Sequence, residues 1–164
     1  MSRPLVAAAA LPLLTVAALA AGSAACAAPA GFAVPAHVAS IDQAADQGAR
    51  IFAHDSFGSS RTWIPAGAMD SRPMSCAACH TDGGRTEGVT PAGQHLPSLI
   101  GAAARFPRFN PRTGTAQTLQ QQIAHCVRGG VGGQPPAANS PAMADLVAYL
   151  TRLSKGVPMG RQFK

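Results

Sequence analysis

The stretch Ser75-Cys76-Ala77-Ala78-Cys79-His80, SCAACH, lies near the middle of a 164-residue chain in which only 12% of residues are charged and 5% aromatic. Two cysteines three positions apart, with a histidine directly after the second, serve metal, redox or cofactor chemistry depending on the compartment. The start of the chain therefore governs the reading of its centre.

Leu5 to Ala21 is an apolar run made mostly of Ala and Leu, preceded by Arg3 and followed by the small residues Ala25, Ala27 and Ala28. That three-part pattern reads as a secretory leader. A retained span needs about 20 residues of stronger hydrophobicity, and Pro12 interrupts this run, so no membrane span is expected. An Ala-x-Ala-like site such as Ala25-Cys26-Ala27 predicts a cleaved leader over 1–27 and a mature domain over 28–164. Lipid attachment at Cys26 is the lesser alternative, because Ser23 stands where a lipoprotein signal carries Leu. The expected location is periplasmic.

A mature chain of roughly 135 residues suits a single domain with one core. Without Arg3 it keeps twelve Lys and Arg against seven Asp and Glu. These basic residues are dispersed and lack aromatic interleaving, which argues for a solvated surface and against a nucleic-acid partner. Cys76, Cys79 and Cys126 survive leader removal, and an odd number of cysteines in an oxidising compartment leaves one thiol without a disulfide partner.

Three chemistries compete for the motif. Zinc would need four ligands on one tetrahedral ion, which adjacent Cys79 and His80 cannot easily share. A thioredoxin-like dithiol opens a helix within alternating strands and helices, and no strand-like runs flank this one. Cys-x-x-Cys-His suits covalent haem: the two thiols add across the two vinyl groups and the following imidazole meets the iron. Cys76 and Cys79 are accordingly read as thioether links to one haem c, and His80 as its proximal ligand.

Other segments agree. Ser40-Ile41-Asp42-Gln43 reads as a capping box opening a helix to about His54, with Ile41, Ala44, Ala45, Gly48, Ile51 and Phe52 on one face. Ser140-Pro141 opens a last helix whose buried face is Leu146, Tyr149, Leu150 and Leu153, ending before Gly156. With the haem motif, "GARIF" (Gly48 to Phe52) and this last helix resemble class I c-type cytochromes. The resemblance implies an all-α, single-domain cytochrome c fold in which the two helices cross at Gly48. "PSLIG" (Pro97 to Gly101) resembles the Pro-x-Leu segment of that family, which implies that Pro97 and Leu99 support the cofactor and that the Pro97 carbonyl accepts a hydrogen bond from His80. Asp55 to Ser75 and Thr81 to Leu96 are long Gly-, Pro- and Ser-rich insertions, read as ordered loops over a haem edge with Trp63 and Ile64 tucked inward.

A sixth iron ligand is less obvious. Met69, Met74, Met143 and Met159 are all poorly positioned, and "GGVGGQPPAANS", the loop before the last helix, has no methionine. Thr118 with Gln121 forms a capping box, and Gly129 reads as a stop, predicting a helix over Leu119–Arg128. Measured from Leu119, Ile123 falls at about 40°, Val127 at about 80° and Cys126 at about −20°, with His125 at about −120°. Cys126 shares the core-facing side; His125 points away. An ordinary buried cysteine also satisfies that geometry.

The run from Phe106 to Gly156 resembles the haem domains of thiosulfate dehydrogenases and of SoxA. This resemblance implies that Cys126 is the distal iron ligand, whose thiolate favours ferric iron relative to methionine. It also raises Arg105, Arg108 and Arg112 as contacts for a small sulfur oxyanion, although an Arg-rich loop is more often merely solvated. The expectation is an exported monohaem cytochrome with His80/Cys126 ligation that exchanges single electrons with redox partner proteins, another cytochrome among them. The alternative is the haem subunit of a thiosulfate-oxidising enzyme.

Overall fold

The computed structural model describes residues 40–160. The expected leader and Cys26 lie outside the described residues. Three α-helices carry the core: α1 (Ile41–His54), α2 (Leu119–Cys126) and α3 (Pro141–Leu153). Ser40 caps α1 by accepting from the Gln43 amide, and Ser140 caps α3 from Met143 with Pro141 at the first helical position. The Thr118–Gln121 capping box closes reciprocally at 2.8 and 3.2 Å.

Helices α1 and α3 cross at Gly48, where a Cβ would run into the Asp145 backbone carbonyl and the Tyr149 Cβ. Glycine is required here for close approach rather than for an unusual φ. Ile51, Phe52, Leu146, Tyr149 and Leu150 fill the interface, and Ile123, Val127 and Val131 close it from the α2 side. Arg152 of α3 pairs with Asp46 of α1 at 2.6 Å and also donates to the Ala45 carbonyl; both partners are exposed enough for this to add at most about 1 kcal/mol.

Several expectations need correction. Ile41 is 70% exposed because it precedes the crossing, and Gln47, unread from the sequence, is buried instead. Ile64 is exposed, whereas Trp63 packs against the core. Leu153 is only partly buried at the end of α3. Against the all-α expectation, both insertions and the segment before α2 fold into short antiparallel pairs. These are β1 (Thr62–Trp63) with β2 (Arg72–Pro73), β3 (Gly88–Val89) with β4 (His95–Leu96), and β5 (Arg108–Asn110) with β6 (Thr115–Gln117). Long loops pinned at both ends satisfy their backbone groups by pairing with themselves.

Asp145 is 2% exposed with one carboxylate oxygen lacking a partner, and burial raises its pKa. A raised folded-state pKa means that stability is full below the unfolded value and is lost as pH rises through the folded one. Asp145→Asn is therefore expected to stabilise the protein by about 1 kcal/mol at neutral pH, with the gain vanishing in acid; denaturant titrations at two pH values read this. Gly48→Ala is expected to cost about 2–3 kcal/mol through overpacking, while Gly129→Ala, with open space around it, changes stability by less than about 1 kcal/mol. Thermal melts of both variants check the crossing.

Candidate functional site

Cys76–Ala78 forms a single 3₁₀ turn, and the amides of Cys79 and His80 both donate to the Cys76 carbonyl, at 3.2 and 3.0 Å. That turn places Cys76 and His80 on a common cleft, which Cys79 does not line. Buried Ser75 anchors it by donating from its hydroxyl to the Ala53 carbonyl at 3.0 Å, which joins the motif to the end of α1. The Phe52 ring lies 6.2 Å from the His80 ring and 5.4 Å from that of Tyr149. Tyr149 reaches over to donate its hydroxyl to the Gly83 carbonyl at 2.6 Å, holding the loop that follows the motif. On the other side of that loop, Gly88 lies so close to the Cys79 carbonyl that a side chain could not fit.

Cys76 and His80 line one wall of an apolar cleft that Phe52, Leu99, Leu146 and Leu150 continue. Cys126 lines the same cleft from α2. The expectation that Cys126 shares the core side with Ile123 and Val127 needs refinement: those two are buried, whereas Cys126 is exposed at the cleft edge of that face. His125 is exposed and faces a separate polar cleft with Arg108 and Arg112. Among the described residues no methionine lines the cysteine cleft: Met74 and Met143 are buried elsewhere in the core, and Met69 and Met159 are exposed.

The electrostatics also couple the three cysteines. Burial, followed by the charge of Cys126 and then Asp55, pushes the Cys76 thiol up to about 12. Burial and Cys126 likewise raise Cys79. Burial lowers the His80 pKa, so its imidazole is held neutral with a lone pair available to a metal. His80 Nδ1 is buried without a hydrogen-bond partner. Two free thiols one turn apart, a neutral imidazole with an orphaned ring nitrogen and apolar walls are the donor set and surroundings that suit a haem held through Cys76, Cys79 and His80.

Pro97 does not take its expected part. Its segment is anchored instead by the Leu99 amide donating to the Gly84 carbonyl at 2.7 Å and by the Ser98 hydroxyl donating to Arg85 at 2.8 Å. This turns Leu99 into the cleft and leaves Pro97 exposed, with no bond to His80. Helix α2 also ends differently from the expectation. The chain does not stop at Gly129; it widens into a π turn over Val127–Val131 and ends at Gly132, whose φ is 78° and whose amide donates to the Val127 carbonyl. Arg61 from the first insertion donates to the Gly129 and Gly130 carbonyls, and Ser59 to Val131. Gln122 at i−4, unread from the sequence, donates to Cys126 Sγ at 3.2 Å; only its helical spacing signalled it. Of the expected arginine cluster, Arg105 and Arg108 line the cysteine cleft, whereas Arg112 lies outside it.

Known proteins resemble this chain in sequence and fold. The profile described as SoxA/TsdA, cytochrome c domain, matches residues 66–159. A thiosulfate dehydrogenase of Allochromatium vinosum is 36% identical over 87 residues, covering 53% of this chain and 31% of that protein. One of Stutzerimonas stutzeri is 29% identical over 89 residues, 54% of this chain and 27% of that protein. The chain thus spans about a third or less of the curated relatives it matches. The solved thiosulfate dehydrogenase (TsdBA) of Marichromatium purpuratum superposes with a TM-score of 0.52 at 22% identity, over 76% of this chain and 25% of that one, a likeness of fold.

Tyr149→Phe is expected to destabilise the protein by about 1 kcal/mol and to speed amide exchange in the loop after His80, since only the hydroxyl bond to Gly83 is removed. Hydrogen-exchange mass spectrometry over that loop, with wild type as reference, measures it.

Proposed function

The chain belongs to the SoxA/TsdA cytochrome c domain family, and from that premise we propose that it is an exported c-type cytochrome that carries one covalent haem c and passes single electrons between redox proteins. Residues 1–27 would direct it to the periplasm, the compartment where such attachment takes place. Cys76 and Cys79 would hold the haem by thioether bonds, His80 would bind the iron as proximal ligand and Cys126 as distal ligand. When bound, the haem supplies a one-electron couple.

The observation that carries this reading is that His80 and Cys126 line a single apolar cleft from different elements and that no methionine among the described residues lines it. The chain's own residues contribute the rest. Burial keeps the imidazole unprotonated, so it can bind iron without first losing a proton. Phe52, Leu99, Leu146 and Leu150 exclude water from the cleft, which limits the solvent reorganisation that electron transfer must overcome. A thiolate at the distal position favours the oxidised state over the reduced one and lowers the potential relative to a thioether. Cys126 lies exposed at the edge of the cleft, so an electron has a short path to a docked partner.

A second reading is favoured by one feature: Arg105 and Arg108 line the same cleft as Cys126. Guanidinium groups match the geometry of a sulfur oxyanion. In that reading the chain is the haem subunit of a thiosulfate-oxidising enzyme. Two thiosulfates join through a new sulfur–sulfur bond, and the two electrons released leave singly through a second haem protein.

Cys126→Ser is expected to abolish a thiolate-type low-spin ferric signal in electron paramagnetic resonance and to raise the reduction potential by about 60 mV or more, a tenfold or larger change in the one-electron equilibrium. An unchanged spectrum would return Cys126 to a structural role. Thiosulfate with ferricyanide separates the two readings: a carrier gives no turnover, and sustained reduction of ferricyanide favours the enzyme subunit.

A further inference from the structure

Cys126 does not stand alone on its helix. One turn earlier, Gln122 donates from Nε2 to Cys126 Sγ at 3.2 Å. The orientation of a glutamine amide is fixed by its other partners, and here those partners leave one choice. Arg108 Nη2 lies 2.8 Å from Gln122 Oε1, and a guanidinium has donors only, so the group facing it must be the carbonyl oxygen. Gln117 Nε2 donates to the same oxygen at 3.1 Å. The NH₂ end of Gln122 is thereby turned to the sulfur.

Arg108 is itself held. It pairs with Gln117 across the β5–β6 hairpin, its Nε lies 3.4 Å from Gln117 Oε1, and its guanidinium sits 4.8 Å from the centre of the Phe106 ring. The hairpin thus presents a rigid cation to the amide, and the amide presents a donor to the sulfur. Two oriented donors on one acceptor oxygen polarise the amide and strengthen the N–H donation at its far end.

We propose that Gln122, oriented by Arg108 and Gln117, is the positioning residue that hydrogen-bonds the distal sulfur and sets the balance between the ferric and ferrous forms. This rests on the proposed ligation by Cys126. A hydrogen bond to a ligand sulfur withdraws electron density from it and so from the iron, which favours the reduced form. The donor thus tempers the strong ferric preference of a thiolate, and the hairpin is part of the redox centre although it does not touch the iron.

Spectroelectrochemical titration and electron paramagnetic resonance of the haem-loaded full chain test this. Gln122→Leu is expected to keep a low-spin thiolate signal with shifted g values and to move the equilibrium about tenfold toward the ferric state, 59 mV for a one-electron couple. Gln122→Glu keeps the shape without the donor and is expected to shift at least as far. Arg108→Lys keeps the charge but loses the planar fork. It should give a smaller shift of the same sign, and that shift should vanish in the Gln122→Leu background. A Gln122→Leu protein within twofold of wild type in this equilibrium, with unaltered g values, would overturn the assignment while leaving Cys126 ligation intact. A wild-type spectrum without thiolate character would instead sink the ligation itself and this inference with it.

Discussion

Everything near the haem motif depends on how closely α1 and α3 approach at Gly48. The missing side chain lets the two backbones touch, with the Asp145 carbonyl occupying the space a Cβ would take. One turn further along α1, Phe52 then falls between Tyr149 and His80, and the α1 end offers the Ala53 carbonyl to Ser75. The position of the imidazole is thus inherited from a helix crossing rather than from the motif's own three residues. A Cβ at that point would part the helices and carry Phe52 with them.

The opposite wall is assembled from other parts of the chain. α2 presents Cys126 and the β5–β6 hairpin supplies Arg108; outside the cleft, Gln117 supports Gln122, and Arg61 and Ser59 of the first insertion hold the turn that follows α2. The two walls meet through Leu146 and Leu150, which belong both to the core and to the cleft. Between them, Cys76 sits in a poorly solvated position while Cys126 lies exposed at the edge, and a charge on Cys126 opposes ionisation of Cys76. Burial first, and the charge of Cys126 second, make Cys76 keep its proton so firmly.

How much of this the sequence disclosed follows the length scale of each interaction. Capping residues and helical periodicity act over three or four positions, so α1 and α3 were legible nearly to the residue from Ser40, Gln43, Ser140 and Pro141. The motif was legible because its chemistry is compressed into five residues. Pro97 misled because a three-residue resemblance says nothing about which loop will compete for the segment, and Gly84 and Arg85 captured it. Ile41 and Ile64 misled because apolar character alone does not say whether a neighbour arrives to cover it. Gln122 was signalled only by its helical spacing to Cys126, whereas Arg61 acts across the fold, on carbonyls 68 and 69 positions away, and no local pattern encodes such a partner.

The π turn after Cys126 has a consequence for how the domain tolerates change. Within this wider winding Val127 and Val131 are both buried, and the chain leaves at Gly132. Shortening Arg128–Gly130 by one residue would restore ordinary helical winding, swing the Val131 side chain by roughly a quarter circle and detach the carbonyls that Arg61 grips. Relatives that gain or lose a residue there are expected to carry a matching alteration in the insertion between α1 and the motif, because the two segments form one mechanical unit behind the sulfur.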